Sequence, residues 1–437
     1  MRAQTELILN SLEDAAAHPA LDRWDDDNVD DVDYLYRKRT ILAREQDAER
    51  VAEAVARILG ATGYGDVPEG DERQIRHERV SVRTGIRRLT VPPTPTLIPE
   101  ILDRLDEDLG PGIGTPEHVY YVCPRPCPAD EPGEVPPGTV DPFPPTGLNA
   151  RCRPCHHIPW PGCDGGGVFV SIVDTGLIAD AGSHSWLAGV QGTEENPYKA
   201  DGTIGPYAGH GTFVAGCLRC AAPKASAFVE RAFGIDTAGA IFETDIGPSL
   251  DDALDRNPDI LVFTFTTSSR NDQSLLTFDD LYERRIRYLK GLVVLAPAGN
   301  DGEQRVMWPA GYREVISVGA LAADGRNRAH FSNYGKWVDI YAPGQDLINA
   351  FPEGTYVTNE PPIGEQREFH GMAKWSGTSF STPIVAGLIA ARMSATGENA
   401  QQAADSLLRL ACSQAIPGVG AVLYPGQACC EADHCRH

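Results

Sequence analysis

Basic residues, methionine and long apolar runs are all scarce in this 437-residue chain. It has 38 Lys and Arg against 61 Asp and Glu, for a net charge of −23. That balance argues against nucleic acid and anionic membranes as partners, because both need positive charge to bind them. No apolar run approaches the roughly 20 residues of a membrane-spanning helix, so no membrane role is expected. The first residues, Met1-Arg2-Ala3-Gln4-Thr5-Glu6, lack the cationic start and apolar core of a secretion signal. A cytoplasmic location is expected on that ground. The 11 cysteines are unevenly spread and odd in number, so complete intramolecular pairing is excluded. Reduced thiols or a metal site are expected ahead of a disulfide framework.

What is present divides the chain into five parts. Residues 1–33 are polar and acidic, with Asp25, Asp26, Asp27, Asp30, Asp31 and Asp33 close together, and are expected to form a solvated leader. Residues 34–122 alternate short strand patterns with two helical ones. The helix predicted over 45–59 puts Ala48, Val51, Val55, Ile58 and Leu59 on one face and stops at Gly60; a second spans 96–109. A hairpin is expected around Thr84-Gly85 and a strand at 118–122. The order is βαββαβ, a ferredoxin-like unit. Residues 123–164 hold twelve prolines between Cys123 and Pro161 and are expected to be a linker. Residues 165–425 alternate buried strands and helices, implying an α/β domain on a mainly parallel sheet. Residues 426–437 form a Cys/His-rich tail.

Cysteines cluster in the linker and tail. Cys123, Cys127, Cys152, Cys155, Cys163, Cys429, Cys430 and Cys435 are candidate metal ligands by residue type, although their spacing matches no familiar finger. Disulfides and free thiols are the alternatives. Cys217 and Cys220 lie one turn apart on a predicted helix and are expected to be small buried residues.

Four stations in the α/β part carry chemistry. The apolar run 168–173 ends in Asp174-Thr175-Gly176, which puts a carboxylate at the C-terminal end of a buried strand. His210 sits between Gly209 and Gly211 at the start of an apolar helix. The run 291–296 ends in Pro297-Ala298-Gly299-Asn300, and an amide there can shape a turn or donate to an oxyanion. Gly377-Thr378-Ser379 delivers a serine at the head of an apolar helix, with Pro383 expected in its first turn. Gly387 lets that helix pack closely on a neighbour. Taken alone, the serine reads more readily as a helix cap and the aspartate equally as a loop residue, whereas the glycines around His210 favour a catalytic histidine. Together a carboxylate, an imidazole and a hydroxyl are the three groups of a nucleophilic relay, and Asn300 with the Ser379 N–H would receive the oxyanion.

These segments resemble the subtilisin-like serine proteases, the subtilase family. The resemblance rests on Ile172-Val173-Asp174-Thr175-Gly176, Gly209 to Gly216, Ala298-Gly299-Asn300 and Gly377-Thr378-Ser379-x-x-Thr382-Pro383, and covers about 165–425. It implies a subtilisin-like fold and peptide-bond hydrolysis through an acyl-enzyme, with Asp174, His210 and Ser379 as the triad and no cofactor required for catalysis. It also implies a polypeptide substrate and a propeptide-type role for the βαββαβ unit, docked on the peptidase domain. Structural calcium is common in the family, and neither calcium nor zinc is assignable to residues here. Phe265, Thr266, Thr267, Pro297, Ala298 and Gly299 are the expected substrate-binding positions. Phe265-Thr266-Thr267 departs from the family's Ser-Leu-Gly-type segment, and without its glycine a narrower cleft is expected. The function expected is limited intracellular processing. The alternatives are a silent protein that holds a peptide in the same cleft, and an esterase or peptide ligase.

Overall fold

Near-continuous apolar runs become the strands of a seven-stranded, wholly parallel sheet. Its order is Ile340–Pro343, Val315–Leu321, Val293–Pro297, Ile260–Phe263, Phe169–Asp174, Ser226–Arg231 and Gln191–Gly192. The computed structural model describes residues 7–9, 11, 21–24, 33–63, 73–122, 131–144 and 162–429. Alternation within the strands feeds two cores. Ile260 and Val262 pack with Phe213, Leu218, Ile384 and Leu388 on one face, while Leu261 and Phe263 pack with Leu250, Leu254 and Phe278 on the other. A sheet covered on both faces by helices needs such two-sided apolar strands.

The helices His210–Ala221 and Thr378–Thr396 cross on the first face. Gly387 sits at the crossing, where an added Cβ would lie 2.7 Å from both the Ala221 Cβ and the Leu218 carbonyl oxygen. The expected close approach is therefore found. Pro383 lies in the second turn of its helix rather than the first. It has no N–H to offer the Ser379 carbonyl, four residues back.

The order βαββαβ is also found, as Tyr34–Arg44, Ala48–Thr62, Arg76–Arg79, Ile86–Thr90, Ile98–Leu109 and Gly114–Tyr121. The first helix continues past Gly60 to Thr62, and Gly63 at φ +99° ends it, so the glycine stop falls three residues later than predicted. The strands form an antiparallel sheet in the order Arg76–Arg79, Ile86–Thr90, Tyr34–Arg44, Gly114–Tyr121 and Ala240–Phe242. The last strand belongs to the α/β part, so the two sheets share chain at this edge. The acidic leader contributes structure too: Leu21–Trp24 pairs antiparallel with Tyr34–Arg44, and Ile8 is buried.

The described linker residues also pair with the α/β part. Gly133 exchanges two 2.8 Å backbone hydrogen bonds with Lys374, and Phe143 exchanges two with Ile348. They flank the hairpin-like pair Leu347–Ala350 and Met372–Trp375 on its two sides. Cys163 and Cys429, offered above as metal ligands, are joined in a disulfide that ties the end of the linker to the tail. Cys123, Cys127, Cys152, Cys155, Cys430 and Cys435 lie outside the described residues. Cys217 and Cys220 are buried thiols beside Asn349, as small apolar residues would be, and burial pushes the Cys220 thiol up to about 12.

Candidate active site

Asp174 ends its strand with its side chain fully buried. Three donors hold the carboxylate. The Thr175 N–H reaches Oδ1 at 2.6 Å, the Thr264 hydroxyl reaches Oδ2, and His210 Nδ1 lies 2.9 Å from both oxygens. The imidazole is wedged edge-on to Trp375, with centroids 5.4 Å apart, and lies 5.0 Å from the Phe380 ring. A ring so packed has little rotational freedom, and its Nδ1 is committed to Asp174. Its Nε2 is buried and has no hydrogen-bond partner among the described residues.

The glycines beside His210 allow this approach. Gly209 has φ +75°, and a Cβ on Gly211 would lie 2.3 Å from the Gly176 carbonyl oxygen. The aspartate turn and the histidine helix thus meet backbone to backbone, which any larger residue at 211 would prevent.

Ser379 is the second residue of its helix and is almost fully buried. Its hydroxyl is directed to the carbonyl oxygens of Thr264 (3.2 Å) and Val122 (3.5 Å) rather than to His210. Asn300 is locked in one amide orientation, because its Oδ1 accepts from both the Thr378 N–H (2.9 Å) and the Thr378 hydroxyl (2.8 Å). Its Nδ2 consequently faces the turn before Ser379, 3.6 Å from where a Gly377 Cβ would stand. The four stations are therefore brought to one place from four separated segments.

The positions expected to bind substrate divide. Thr266 exchanges two backbone hydrogen bonds, 3.1 and 3.0 Å, with Tyr121, and Val122 donates to the Gly239 carbonyl at 3.0 Å. The end of the βαββαβ unit thus runs as a strand between 239–242 and 264–266 up to Ser379. Phe265 meets the Tyr120 ring edge-on at 4.9 Å, and both pack with Phe233 and Val122. Thr267 is a different case. Its backbone pairs with Trp308, so that edge is already used within the domain. Pro297 is part of a strand paired with Val318, and Ala298 continues the pairing, while Gly299 (φ +99°) donates its N–H to Thr378 Oγ1 at 3.2 Å. Of the three, Gly299 thus braces the serine turn directly.

A subtilase family model matches residues 165–413, more than half of the chain. The chain belongs to the subtilase family. It is similar to subtilisin BL of Lederbergia lenta, at 30% identity over 245 residues, covering 52% of this chain and 77% of that protein. It is also similar to the major intracellular serine protease of Bacillus subtilis, at 26% identity over 245 residues, 52% of this chain and 69% of that one. Among solved structures, fervidolysin from Fervidobacterium pennivorans, described as a keratinolytic enzyme related to subtilisin, superposes with a TM-score of 0.55 at 17% identity, over 90% of this chain and 61% of that chain. That likeness is one of fold. This subtilase is thus a serine protease with a parallel sheet flanked by helices, and it carries a small antiparallel domain before it.

Sequence reasoning missed one buried group near the site. Glu195 is 4% exposed and sits between the aspartate and histidine segments. Nothing in the run Gly192-Thr193-Glu194-Glu195-Asn196 marks it, since acidic turn residues are ordinarily solvated. Among the described residues no three His, Cys, Asp or Glu side chains gather as a metal site would need, and no helix is long and apolar enough to cross a membrane.

Proposed function

We propose that the chain hydrolyses peptide bonds through an acyl-enzyme on Ser379, and that its N-terminal domain restrains this activity by occupying the cleft. His210 Nε2 removes the proton from Ser379 Oγ as it attacks the substrate carbonyl, then delivers it to the leaving amine. A water repeats the sequence in reverse and frees the carboxyl product. Asp174 holds the imidazole in the tautomer with Nδ1 protonated and stabilises the imidazolium. The Asn300 amide and the Ser379 N–H receive the developing oxyanion.

The observation that carries this reading is the buried Asp174–His210 pair, whose Nδ1 contact at 2.9 Å leaves Nε2 for a hydroxyl. The restraint is supported by the strand that ends at Val122. It bonds to the enzyme on both sides through backbone groups, as an extended peptide added to a sheet edge would. Ion pairs between the two parts reinforce it: Arg88 meets Asp245 at 3.1 Å, and Arg270 meets Asp106 at 2.8 Å. Docking of the N-terminal domain, a polypeptide substrate and limited processing in the cytoplasm belong to the same proposal. A relative named as intracellular supports the last.

One observation favours a second reading, a silent peptide holder: Ser379 bonds to carbonyls and not to His210. Labelling with a fluorophosphonate probe separates the two. Full-length protein, Ser379→Ala, and a chain cut after residue 122 with its N-terminal part removed are each read by intact mass. Covalent labelling that needs Ser379 and speeds up after removal supports the protease reading. A folded chain that stays unlabelled after removal would support the holder.

A further inference from the structure

We propose that Glu195 is a positioning residue, whose carboxyl ties the backbone on both sides of His210 to the residue that follows Asp174. This deepens the reading of Asp174 and His210 as the catalytic pair and rests on it.

Glu195 lies in the two-residue strand Glu194–Glu195, which pairs in parallel with Leu177–Ile178 just beyond the aspartate turn. Each of its carboxyl oxygens takes one side of the site. Oε1 accepts the Gly209 N–H at 3.0 Å, and Oε2 accepts the Thr175 hydroxyl at 3.2 Å. Thr175 Oγ1 in turn accepts the Gly211 N–H at 3.0 Å, and the Thr175 N–H donates to Asp174. Both neighbours of His210 therefore end on the Glu195–Thr175 pair, and so does the neighbour of Asp174. All of these bonds are buried, so each group would be left unsatisfied if the clamp were lost. Glu195 itself touches neither the imidazole nor the serine.

The carboxyl also titrates in a useful range. Burial pushes it up to about 8; the Gly209 N–H, the Thr175 hydroxyl and Arg231 oppose the rise, and Asp174 adds to it. The charged groups facing it are Asp174 on one side, Arg231 on the next strand, and Asp236 across a shared cavity of about 440 Å³. Below about pH 8 the clamp is neutral. Above it, a second negative charge stands beside Asp174.

The test uses the full chain with Glu195→Gln, which keeps the shape and removes the titration, and Glu195→Ala, which removes the clamp. The readouts are the downfield proton resonance of His210 Nδ1 against pH, and the rate of fluorophosphonate labelling. We expect a step near pH 8 in the natural chain that is absent from Glu195→Gln. Glu195→Ala should broaden the resonance and slow labelling roughly tenfold to a hundredfold, as expected of a displaced general base. An unchanged resonance and labelling rate in Glu195→Ala overturn the proposal, whatever the step does. An unreactive Ser379 in a chain whose His210 resonance carries the step would overturn the hydrolytic reading and leave this one standing.

Discussion

The two halves of the site differ in state. The Asp174–His210 half is assembled: carboxylate, imidazole and their supports are buried, bonded and packed against Trp375 and Phe380. The serine half is in place but engaged elsewhere, with its hydroxyl on the carbonyls of Thr264 and Val122. The first half is built from local turns that close on one another. The second is carried on a long helix and faces the cleft, where the N-terminal strand ends. The difference teaches that the base can be complete while the nucleophile is still engaged elsewhere. On the proposed reading, activation needs a turn of the Ser379 side chain, with no rebuilding of the base.

The most damaging way to break the comparison is within the finished half. Asp174→Asn keeps the size of the side chain but removes the charge that fixes the His210 tautomer. It should slow labelling of Ser379 in the cut chain by about 10⁴-fold, with the fold intact. Near-normal labelling would mean that Asp174 does not orient His210.

A gentler change addresses the occupant. Tyr121→Pro removes the N–H that donates to the Thr266 carbonyl, one of the two bonds holding the inserted strand to that edge. A backbone hydrogen bond contributes about 0.5–1.5 kcal/mol net, so labelling of full-length protein should rise by up to roughly tenfold. An unchanged rate in the full-length protein would indicate that the strand does not gate the serine.

The sequence made one half of this picture easier to read than the other. Asp174, His210, Asn300 and Ser379 were legible because each stands at an element end beside glycine, where the chain must turn or approach closely. Gly211 and Gly387 are such positions, with contacts below 3 Å to any added Cβ. The parallel sheet was legible from runs such as Ile260–Phe263, which bury both faces. Long-range partners were not. The pairing of Tyr121 with Thr266, of Gly133 with Lys374, and of Cys163 with Cys429 joins residues far apart in the chain through backbone groups or a single bond. Such contacts leave no periodic mark. Glu195 was hidden for a similar reason: its two acceptor bonds come from segments on either side of it, and only the fold brings them together.

The smallest expected effect sharpens the contrast between the halves. Gly387→Ala would place a methyl 2.7 Å from the Ala221 Cβ and the Leu218 carbonyl oxygen, where the serine and histidine helices cross. Overpacking of this kind costs about 1–3 kcal/mol. Relief requires the helices to part slightly, and the longer one carries Ser379 two residues from its start. The turns at 174–176 and 209–211 also hold the Asp174–His210 pair, besides the Phe380 ring packed on the imidazole. Thermal stability should therefore fall modestly and labelling of the cut chain should slow several-fold, while the His210 Nδ1 resonance stays where it was. If the resonance moved with the labelling rate, the two halves would be one mechanical unit.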